Sequence, residues 1–573
     1  MSSAPRPQSD IETSPRQDGL ASPWLRGMPR SLTYPSVGID ALLSGAARAY
    51  PQRVALQDGA TTFTYPELED AARRVAGGLR ERGIRPGDAV ALHMPNTWSF
   101  IVAYYGALCA GAAVAPVNPA QPIDALRQQL EDVAAKAVVT SPLCLDAAVA
   151  ARTPEIELLV CVPGPDSVEP ESLPADVVAL SELTASDPLD GYAVDPDLVA
   201  HLQLTGGTTG RSKAVRVLHR NLVASVVQNA CWRATGLVDL DDQGGLRITQ
   251  VPEAVAKGSL VPGAGIYLAV PPFFHGLGLV GHNIEVLLGS TVVVPDGGFS
   301  PDGFLSDVER YGVTHIVGSP AMYYALMRSP TISQRDLSSV SLLVCGAAPI
   351  DTSALKALGD TFANAFVIEG YGLSEATMGV SGSGGGVEPL VPAGSIGVPL
   401  FDTEVEIRDT DGQVLPDGVV GELWVRGPQV ADGYEGHPEL SAAQFRDGWL
   451  ATGDSGRSED GFLYLVGRSK DLIIYKGYNV YPQPLEEILC SHPAVYQAAV
   501  VGQHSEAVGE IPVGFVVLRP GAQSYDGLAE EIMAHLADKV APYQRVREVH
   551  VLEALPVTPT GKIRKVDLRE RLA

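Results

Sequence analysis

The sequence predicts a multidomain α/β protein, and three observations support that prediction. The chain has 573 residues, which is more than one hydrophobic core normally organises. From about residue 35 to residue 400, apolar stretches of strand length alternate with helical patterns, which is typical of a largely parallel sheet covered on both faces. After about residue 400, short alternating segments with turn residues between them indicate antiparallel sheet and a compact α+β segment.

The individual elements can be placed in order along the chain. The first clear helix begins near Pro66, where apolar residues recur at helical spacing up to Leu79. Proline in the first turn and Gly83 after the end are typical of the two ends of a helix. Apolar runs predict buried strands at 88–94, 314–319, 341–346 and 365–372. Alternating segments predict antiparallel strands at 404–409, 421–427 and 462–467, and a charged helix is predicted at 566–573.

Two segments are predicted to lack fixed structure. The beginning of the chain is rich in Ser, Pro, Arg and Asp and has no apolar stretch typical of a signal peptide. We therefore expect residues 1–34 to form a disordered tail. The segment 380–395 contains SGSGGG at 381–386, which predicts a mobile loop.

The composition excludes several classes of protein. Hydrophobic residues make up 45% of the chain and charged residues 19%, as in a soluble globular protein. The net charge of −26 repels phosphate backbones, so we expect no nucleic-acid partner. No apolar run approaches the ~18 residues of a membrane-spanning helix. The 6 cysteines are scattered without a CxxC pair, which predicts free thiols in a reducing compartment, the cytoplasm by default.

The strongest local motif is TGGTTGRSK at 205–213, which follows an apolar strand pattern. Glycines allow the backbone to approach a phosphate closely, and hydroxyl and N–H groups donate hydrogen bonds to its oxygens. Lys213 adds a mobile positive charge. The spacing matches neither the Walker pattern nor the dinucleotide GxGxxG pattern. Taken alone, the loop is equally compatible with an ordinary surface turn.

Five further motifs accompany this loop and identify a family resemblance. EGYGLSEA at 369–376 resembles the second signature of the adenylate-forming superfamily, which contains acyl- and aryl-CoA ligases, firefly luciferase and the adenylation domains of peptide synthetases. GAAP at 346–349 precedes it, TGD at 452–454 follows it, and GRSKDLIIYKGYNVYP (467–482) and PVTPTGKIRK (556–565) complete the family's order. The resemblance covers about residues 35–573 and is closest to stand-alone acyl- or aryl-CoA ligases.

The resemblance implies a two-domain organisation. We expect a large N-terminal domain at 35–469, built of parallel sheets of αβαβα type together with a small β-barrel-like part. A small, mobile α+β domain would follow at 470–573. In this family the small domain rotates after the adenylate has formed, which is a hinge-closure type of switch. The matching hinge residue in this chain is Lys470.

The resemblance also implies an ATP site with Mg²⁺. Ser374 would touch the α-phosphate, Glu375 would hold Mg²⁺, and Lys562 would bind the acid's carboxylate and the α-phosphate. Asp454 and Arg468 would contact the ribose. The remaining ATP- or AMP-binding residues would be Thr205, Gly206, Gly207, Thr208, Thr209, Gly210 and Lys213 around the phosphates, with Gly346, Ala347, Ala348, Pro349, Glu369, Gly370, Tyr371 and Gly372 around the adenine.

The chemistry of adenylation requires residues of these types. A carboxylate that attacks the α-phosphorus meets electrostatic repulsion, and the transition state gains negative charge. Mg²⁺ and Lys562 would neutralise this charge, and neither has to act as an acid or base. Individually, Asp454 could stabilise a turn, Glu375 could cap a helix and Lys562 could be a solvated charge. As an ordered set, they favour a catalytic site.

The acid-binding residues are less specific. His275 resembles the gate residue of aryl and acyl ligases, although it is equally compatible with simple packing. The implied acid pocket comprises His275, Gly276, Leu277, Gly346, Tyr371, Gly372 and Leu373. Segment 271–281 has no carboxylate, which disfavours an α-amino acid because its ammonium would lack a buried partner. A fatty, aryl or polycyclic acid remains open, and segment 232–269 has no assigned role.

The acceptor of the acyl group is the main alternative that the sequence leaves open. Lys476 and Gly477 would line the path of a thiol, and the glycine favours a thioester with CoA. Ser212, Ile474 and Pro484 depart from the family's usual residues. The preferred function is an ATP-dependent acid–thiol ligase of the acyl-CoA synthetase type. The alternatives are an adenylate-only enzyme that serves a carrier protein, a downstream acyltransferase or another partner enzyme, a luciferase-like oxygenase, and a non-catalytic nucleotide-binding regulator.

Overall fold

Two large sheets with helices on their faces account for most of the chain before residue 400. The structure is a computed structural model that describes residues 22–164, 168, 172–205, 212–348, 350, 352–476, 478–505, 507–519, 521–558 and 562–572. The chain is mixed α/β throughout, as the sequence predicts. A third, antiparallel sheet and a separate C-terminal sheet follow.

The first large sheet has eight strands and is parallel at its centre. Its middle strand, Ala89–His93, is buried at every position because both faces of a parallel sheet are covered. This confirms the strand predicted at 88–94. In spatial order the strands are β23 (Gly433–Tyr434), β10 (Lys213–Leu218), β9 (Val199–Thr205), β5 (Ala113–Val117), β4 (Ala89–His93), β6 (Ala135–Thr140), β7 (Leu158–Cys161) and β8 (Val177–Ala179).

The predicted phosphate loop begins at the carboxyl edge of this sheet. β9 runs parallel to β5, with Val114 opposite His201. Thr205, the last residue of β9, therefore lies at the edge where the parallel strands end. Ligands of open α/β sheets commonly bind beyond this edge. β10 then returns antiparallel to β9.

The second large sheet has nine strands and brings two of the predicted motifs side by side. The strands predicted at 314–319, 341–346 and 365–372 are confirmed, and they are parallel neighbours. In spatial order the strands are β20 (Val398–Pro399), β18 (Ser381–Gly382), β17 (Phe366–Tyr371), β16 (Leu342–Cys345), β15 (His315–Gly318), β13 (Ile266–Leu268), β14 (Thr291–Val294), β2 (Val54–Asp58) and β3 (Thr61–Thr64).

A five-stranded antiparallel sheet follows residue 400 and confirms the strands predicted there. Its strands are β21 (Glu404–Arg408), β22 (Gly421–Arg426), β25 (Trp449–Glu459), β24 (Phe445–Arg446) and β26 (Phe462–Arg468). Within the described residues, β21 pairs only with β22 and β24 only with β25. The expected barrel-like part is therefore an open sheet, because its end strands do not meet.

The C-terminal part is an α+β unit with its own sheet of β28 (Tyr478–Val480), β27 (Ile473–Tyr475), β30 (Gly509–Leu518), β29 (Val495–Ser505) and β31 (Glu548–Leu552). Ala498 and Val500 of β29 belong to one apolar cluster, and Ala499 and Val501 belong to another. Because alternate strand residues point to opposite faces, this sheet is covered on both sides. The turn Ser469–Asp471 joins it to β26 and contains the predicted hinge residue.

The helices differ in burial, and Trp98–Cys109 and His219–Ala234 are buried on nearly all sides. The helix predicted near Pro66 spans Tyr65–Glu81, and a capping box of Thr64 and Glu67 fixes its start. The helices are α1 (Asp40–Ala49), α2 (Tyr65–Glu81), α3 (Trp98–Cys109), α4 (Ile123–Asp132), α5 (Leu145–Ala151), α6 (Leu180–Thr184), α7 (His219–Ala234), α8 (Gly276–Leu287), α9 (Pro301–Tyr311), α10 (Pro320–Met327), α11 (Thr352–Thr361), α12 (Pro438–Gln444), α13 (Pro482–Cys490), α14 (Leu528–Ala537) and α15 (Lys565–Glu570). Among the described helices, none is long and apolar enough to cross a membrane. All six cysteines are free thiols, as predicted.

Two predictions of irregular structure are wrong for the residues that the structure describes. From Ser22 onward the expected tail is ordered, and β1 (Trp24–Leu25) pairs with β19 (Val387–Glu388). Trp24 packs edge-on against Trp232 and Phe401 at centroid distances of 5.7 and 5.3 Å. The glycine-rich segment is held by strand pairing rather than mobile, because β18 pairs with β17 and β19 pairs with β1. Residues 1–21 lie outside the described range.

Segment 232–269, which had no assigned role, forms a two-stranded hairpin of β11 (Gly236–Leu240) and β12 (Leu246–Gln250). The hairpin packs against α1 at Gly45. A Cβ atom at Gly45 would come within 1.9 Å of the Leu246 carbonyl oxygen, so only glycine allows this approach. The hairpin therefore buttresses the first helix.

Candidate active site

The stem of the predicted phosphate loop is fixed by strand pairing. Thr205 at the end of β9 lies opposite Lys213 at the start of β10. The Thr205 hydroxyl also donates a hydrogen bond of 3.3 Å to the Lys213 carbonyl. The pairing therefore sets the point at which Lys213 begins β10. The loop residues Gly206, Gly207, Thr208, Thr209 and Gly210 lie outside the described residues, as does Pro349 of the adenine motif.

Ser212, just before Lys213, has a partner that sequence reasoning missed. Its Oγ accepts a hydrogen bond of 3.0 Å from Nε2 of Gln129 in α4. Gln129 is 7% exposed, so its amide depends on a protein partner in place of water. The serine that replaces the family's usual proline is thus anchored by a hydrogen bond. Nothing in the local sequence links α4 to this position.

The predicted adenine residues lie at the ends of two neighbouring strands. Cys345 and Glu369 are opposite each other in β16 and β17, so Gly346 follows close to Gly370. Ala347 has a φ of +69°, a left-handed conformation that turns the chain away from the strand. Burial, and then the charge of Glu487 in α13, raise the pKa of Glu369 to about 7.

Asp454 is the centre of the predicted ribose contacts. It lies opposite Arg468 in the β25–β26 pair, and its Oδ1 is 3.3 Å from Nε of Arg468. The hydroxyl of Tyr371 donates a hydrogen bond of 2.7 Å to the other carboxylate oxygen. Burial raises the pKa of Tyr371, and the charge of Asp454 raises it further. Tyr371 therefore remains a donor and orients the Asp454 carboxylate.

Ser374 and Glu375 lie on the short 3₁₀ turn Ser374–Ala376, directly after the end of β17. One oxygen of Glu375, Oε1, accepts a hydrogen bond of 2.7 Å from the hydroxyl of Tyr434. The Glu375 carbonyl accepts a second bond of 2.9 Å from the N–H of Ala431. Sequence reasoning missed Tyr434, because its contact with Glu375 arises only when β23 joins the first large sheet.

Lys562 of the C-terminal part reaches into the same site. Burial and the charge of Arg468 lower the pKa of Lys562, while Asp454 and Glu375 act against that decrease. Lys562 therefore lies within electrostatic range of Arg468, Asp454 and Glu375. The chain is folded tightly there, since the Thr558 N–H donates to the Lys562 carbonyl at 2.7 Å. The structure therefore brings together Lys562, Glu375 and Asp454, which are far apart in the sequence.

His275 is the N-cap residue of α8. Its Nδ1 accepts a hydrogen bond of 3.2 Å from the N–H of Leu277, as a helix N-cap does. Burial first, and then the charge of Lys562, lower the pKa of His275 to about 4. The imidazole is therefore neutral at neutral pH.

The space beside α8 is open at two buried glycines. A Cβ atom added at Gly276 or at Gly281 would meet no heavy atom within 4 Å. Gly372 differs, because a Cβ atom there would come within 1.4 Å of the Met378 carbonyl oxygen. Leu373 packs with Tyr371 in an apolar cluster under the five-stranded sheet. Among the predicted acid-pocket residues, Gly276 therefore has free space beside it, whereas Gly372 serves a close backbone approach.

The predicted hinge residue Lys470 and the predicted acceptor residue Lys476 are both exposed. Lys476 has a φ of +50°, and its Nζ lies 5.6 Å from the centroid of the neighbouring Tyr475 ring. Gly477 lies outside the described residues. The structure thus has Lys562 in the site and the Lys476 turn on the surface.

The residues present fit a bound Mg²⁺. Glu375 offers one carboxylate, with its second oxygen not engaged by Tyr434. Mg²⁺ is commonly held by one or two carboxylates together with substrate phosphates. Among the described residues there is no group of three or more His, Cys, Asp and Glu side chains that could hold a metal alone. This donor set suits a metal that arrives with the nucleotide.

Comparison with known proteins agrees with this geometry. The AMP-binding enzyme family matches residues 43–435, and the AMP-binding enzyme C-terminal domain matches residues 484–562. The 4-coumarate–CoA ligase-like 6 of Oryza sativa subsp. japonica is 35% identical over 530 residues, which cover 90% of this chain and 83% of that protein. The long-chain-fatty-acid–CoA ligase of Bacillus subtilis (strain 168) is 31% identical over 582 residues, which cover 96% of this chain and 97% of that protein.

A solved structure shows the same fold. The anthranilate CoA ligase AuaEII, in complex with anthranoyl-AMP, has a TM-score of 0.82 at 23% identity and covers 94% of this chain and 98% of its own. Both family matches occur in the expected order and together span most of the chain. The chain therefore belongs to the AMP-binding enzyme family.

Proposed function

We propose that this protein is an acid–CoA ligase that activates a bulky apolar acid, either aryl or fatty, as its adenylate. The observation that supports this best is that Lys562 lies within electrostatic range of Asp454, Glu375 and His275. A cation at this point can contact both an acid's carboxylate and an α-phosphate. The remainder of the predicted nucleotide site is arranged around it, on the ends of β9, β16 and β17.

The residues divide the work of adenylation between them. Lys562 offsets the repulsion between two anions, and it acts as a fixed charge rather than as a proton donor. Asp454, held by Tyr371, accepts hydrogen bonds from the ribose hydroxyls. Glu375 would hold Mg²⁺, which supplies further positive charge at the phosphates. Lys213 approaches the phosphates from the start of β10.

The electrostatics of α8 favour an uncharged side chain on the acid. The one carboxylate of this helix, Glu285, lies 2.8 Å from Nε2 of His315 and 3.5 Å from Nη1 of Arg233. It is therefore already paired and unsuited to a substrate ammonium. A Cβ atom at Gly276 would meet no heavy atom within 4 Å, so this glycine leaves space next to the predicted acid pocket. The relatives named for 4-coumarate and for long-chain fatty acids support both classes.

The acceptor proposed is CoA, because the relatives named above are CoA ligases. An adenylate-only enzyme that passes its product to a carrier protein, an acyltransferase or another enzyme is the alternative outcome of the test. The free thiols favour a reducing compartment, and we propose the cytoplasm.

The test is pyrophosphate release with ATP and Mg²⁺ across aliphatic, aryl and terpenoid acids, with mass detection of the products. We expect acid-dependent release, and a CoA thioester only when CoA is present. Persistence of the adenylate in the presence of CoA would select the adenylate-only alternative. Absence of acid-dependent release over the whole panel would refute the ligase and favour a nucleotide-binding regulator.

The first prediction concerns Lys562. Lys562→Ala should reduce adenylation about 10²- to 10³-fold, because one preorganised charge is lost at the reacting groups. Lys539→Ala is the matched control, since Lys539 is an exposed lysine of the same C-terminal part. A Lys562→Ala variant that releases pyrophosphate within twofold of the original enzyme would show that the assignment is wrong.

A further inference from the structure

We propose that Tyr434 is a positioning residue of the nucleotide site. It fixes the positions of the Glu375 carboxylate and the Lys213 ammonium relative to each other. The inference rests on the proposed function, and it adds a residue that the motifs do not contain. Tyr434 is 5% exposed and lies on β23, the edge strand that pairs with β10. Its hydroxyl group contacts Glu375, the candidate metal ligand, and its ring contacts Lys213, the lysine predicted to bind phosphate.

The hydroxyl orients Glu375. Tyr434 Oη lies 2.7 Å from Glu375 Oε1 and 2.9 Å from Gln444 Oε1, and both of these oxygens are acceptors. A phenol has one hydrogen, whereas an amide can turn to present N–H groups. All three groups are satisfied when Gln444 donates to Tyr434 and Tyr434 donates to Glu375. One carboxylate oxygen is then restrained, and the other is left for a cation.

The ring of Tyr434 faces Lys213. The Lys213 Nζ lies 5.6 Å from the ring centroid, within the range of a cation–π interaction. The ring of Phe445 packs edge-on against Tyr434 at 5.8 Å and limits its rotation. The lysine at the exit of the phosphate loop and the carboxylate at the end of β17 thus share one buried side chain.

The backbone around Tyr434 is tied to the same two elements. Tyr434 lies opposite Val215 of β10, and the Glu435 N–H donates to the Ala214 carbonyl at 2.9 Å. Arg216 of β10 forms ion pairs with Asp432 and Glu435 at 3.3 and 2.5 Å. On the other side, the Ala431 N–H donates to the Glu375 carbonyl at 2.9 Å. Segment 431–435 therefore clamps the stem of the phosphate loop to the Glu375 turn.

The protonation state suits this role. Burial, followed by the charge and hydrogen bond of Glu375, raises the pKa of Tyr434. The phenol therefore keeps its proton over the pH range of an enzyme assay. It acts on the substrate only through Glu375 and Lys213, so its loss should change the affinity for metal and nucleotide rather than the affinity for the acid.

The test compares Tyr434→Phe with the original enzyme. The variant keeps the ring over Lys213 and removes the donor to Glu375. We expect Mn²⁺ binding, measured by electron paramagnetic resonance with a non-hydrolysable ATP analogue, to weaken about 10- to 100-fold, as for other groups that orient metal ligands. The Mg²⁺ concentration for half-maximal pyrophosphate release should rise in parallel, while KM for the acid stays within twofold.

Two further variants distinguish positioning from general stability. Tyr525→Phe removes a tyrosine–glutamate hydrogen bond, to Glu531, on the exposed surface of the C-terminal part, and should leave Mn²⁺ binding unchanged. In a protein that already carries Glu375→Gln, adding Tyr434→Phe should lower the Mn²⁺ affinity by less than a further threefold. The two substitutions remove the same interaction, so their effects do not add. Tyr434→Leu, which also removes the ring, should further raise KM for ATP.

The outcomes are separable from those of the proposed function. Unchanged Mn²⁺ binding in a folded Tyr434→Phe variant overturns the positioning role. The positioning role is also overturned if the variant loses melting temperature and activity together, while the Mg²⁺ concentration for half-maximal pyrophosphate release stays unchanged. If no acid in the panel supports pyrophosphate release but Mn²⁺ binding still depends on Tyr434, the proposed function fails and the positioning role stands.

Discussion

Single residues in this site owe their properties to neighbours that are remote in sequence. Glu369 shows this best, because its carboxyl group is surrounded by protein and faces the charge of Glu487 across the junction of two domains. Both effects disfavour the anion, and they raise the pKa of Glu369 to about 7. His275 shows the opposite response, since burial and a nearby ammonium hold its ring neutral.

The raised pKa of Glu369 predicts a pH dependence of ATP binding. Below pH 7 the carboxyl group is neutral, and above pH 7 it places a negative charge beside the predicted adenine slot. We expect KM for ATP to rise as the pH passes through about 7, and Glu369→Gln to abolish that rise. Glu487→Gln should shift the inflection to lower pH, because one cause of the raised pKa is removed.

The raised pKa of Glu369 also makes the free energy of unfolding depend on pH. The pKa of Glu369 is higher in the folded state than its ordinary value of 4.5. The folded protein therefore binds the proton more tightly, and this contribution to stability is lost as the pH rises from about 4.5 towards 7. Urea unfolding of the original and the Glu369→Gln protein at pH 5 and 8 checks it. An identical pH dependence in both proteins would contradict the assignment.

At the scale of elements, we propose that α8 limits the size of the acid that the site accepts. Its two open glycines lie on a helix that is otherwise packed, since a Cβ atom at Gly278 would come within 2.2 Å of the Pro272 carbonyl oxygen. Gly281 is thus a position at which a side chain can enter the free space without displacing the backbone. This makes the helix a natural determinant of substrate size.

Gly281→Val should therefore narrow the range of acids. We expect kcat/KM for bulky aryl or long-chain acids to fall about 10- to 100-fold, since a pocket that is too small by a few methyl groups rejects its ligand by that factor. Short acids and KM for ATP should be nearly unaffected. Gly359→Val is the matched control, because Gly359 is a helical glycine of α11 that also has nothing within 4 Å. Equal losses for short and bulky acids would contradict the prediction.

Elements with a strong local pattern were predictable from the sequence, and those that depend on distant partners were not. The helix at Tyr65–Glu81 and the strand at Ala89–His93 carry their own periodicity and end signals. The glycine-rich segment has no such pattern. It is ordered because Trp232 and β17 pack on it, and the donation from Trp232 Nε1 to the Ser383 carbonyl at 3.1 Å is a contact between distant residues.

The same distinction applies to the site. Lys213, Glu375, Asp454 and Lys562 stand in motifs and were identified by resemblance. Tyr434 and Gln129 act on those residues from other elements, and their partners follow only from sheet pairing and helix packing. Partners of this kind have no fixed spacing from the motif, so a single sequence does not reveal them.

At the scale of the whole molecule, the end of α10 contacts β29 of the C-terminal part through aromatic and cation–π interactions. The Arg328 guanidinium lies 3.6 Å from the centroid of the Tyr496 ring. The Tyr324 ring packs edge-on against Tyr496 at 5.2 Å. Cation–π and aromatic contacts of this type contribute about 0.5–2 kcal/mol each. A rotation of the C-terminal part has to break both contacts.

Tyr496→Ala should therefore affect the two half-reactions differently. We expect adenylation to slow about 3- to 30-fold, in line with the loss of one or both contacts. Conversion of a supplied acyl-adenylate to the CoA thioester should be unchanged or faster. The measurements are pyrophosphate release and thioester formation from synthetic acyl-AMP. A similar decrease in both rates would indicate general damage to the fold and would contradict a role in orientation.

The pairing of β1 with β19 also affects how this chain folds during synthesis. Trp24 pairs with Glu388, so the first strand has no partner until the ribosome has passed residue 388. Its other neighbours, Trp232 and Phe401, are also made late relative to Trp24. Contacts between such distant residues are slow to form, and the aromatic groups favour aggregation until they are buried. β1, the first strand that the structure describes, is therefore among the last strands to pair. A chaperone that binds the nascent chain would protect β1 from aggregation until β19 has been synthesised.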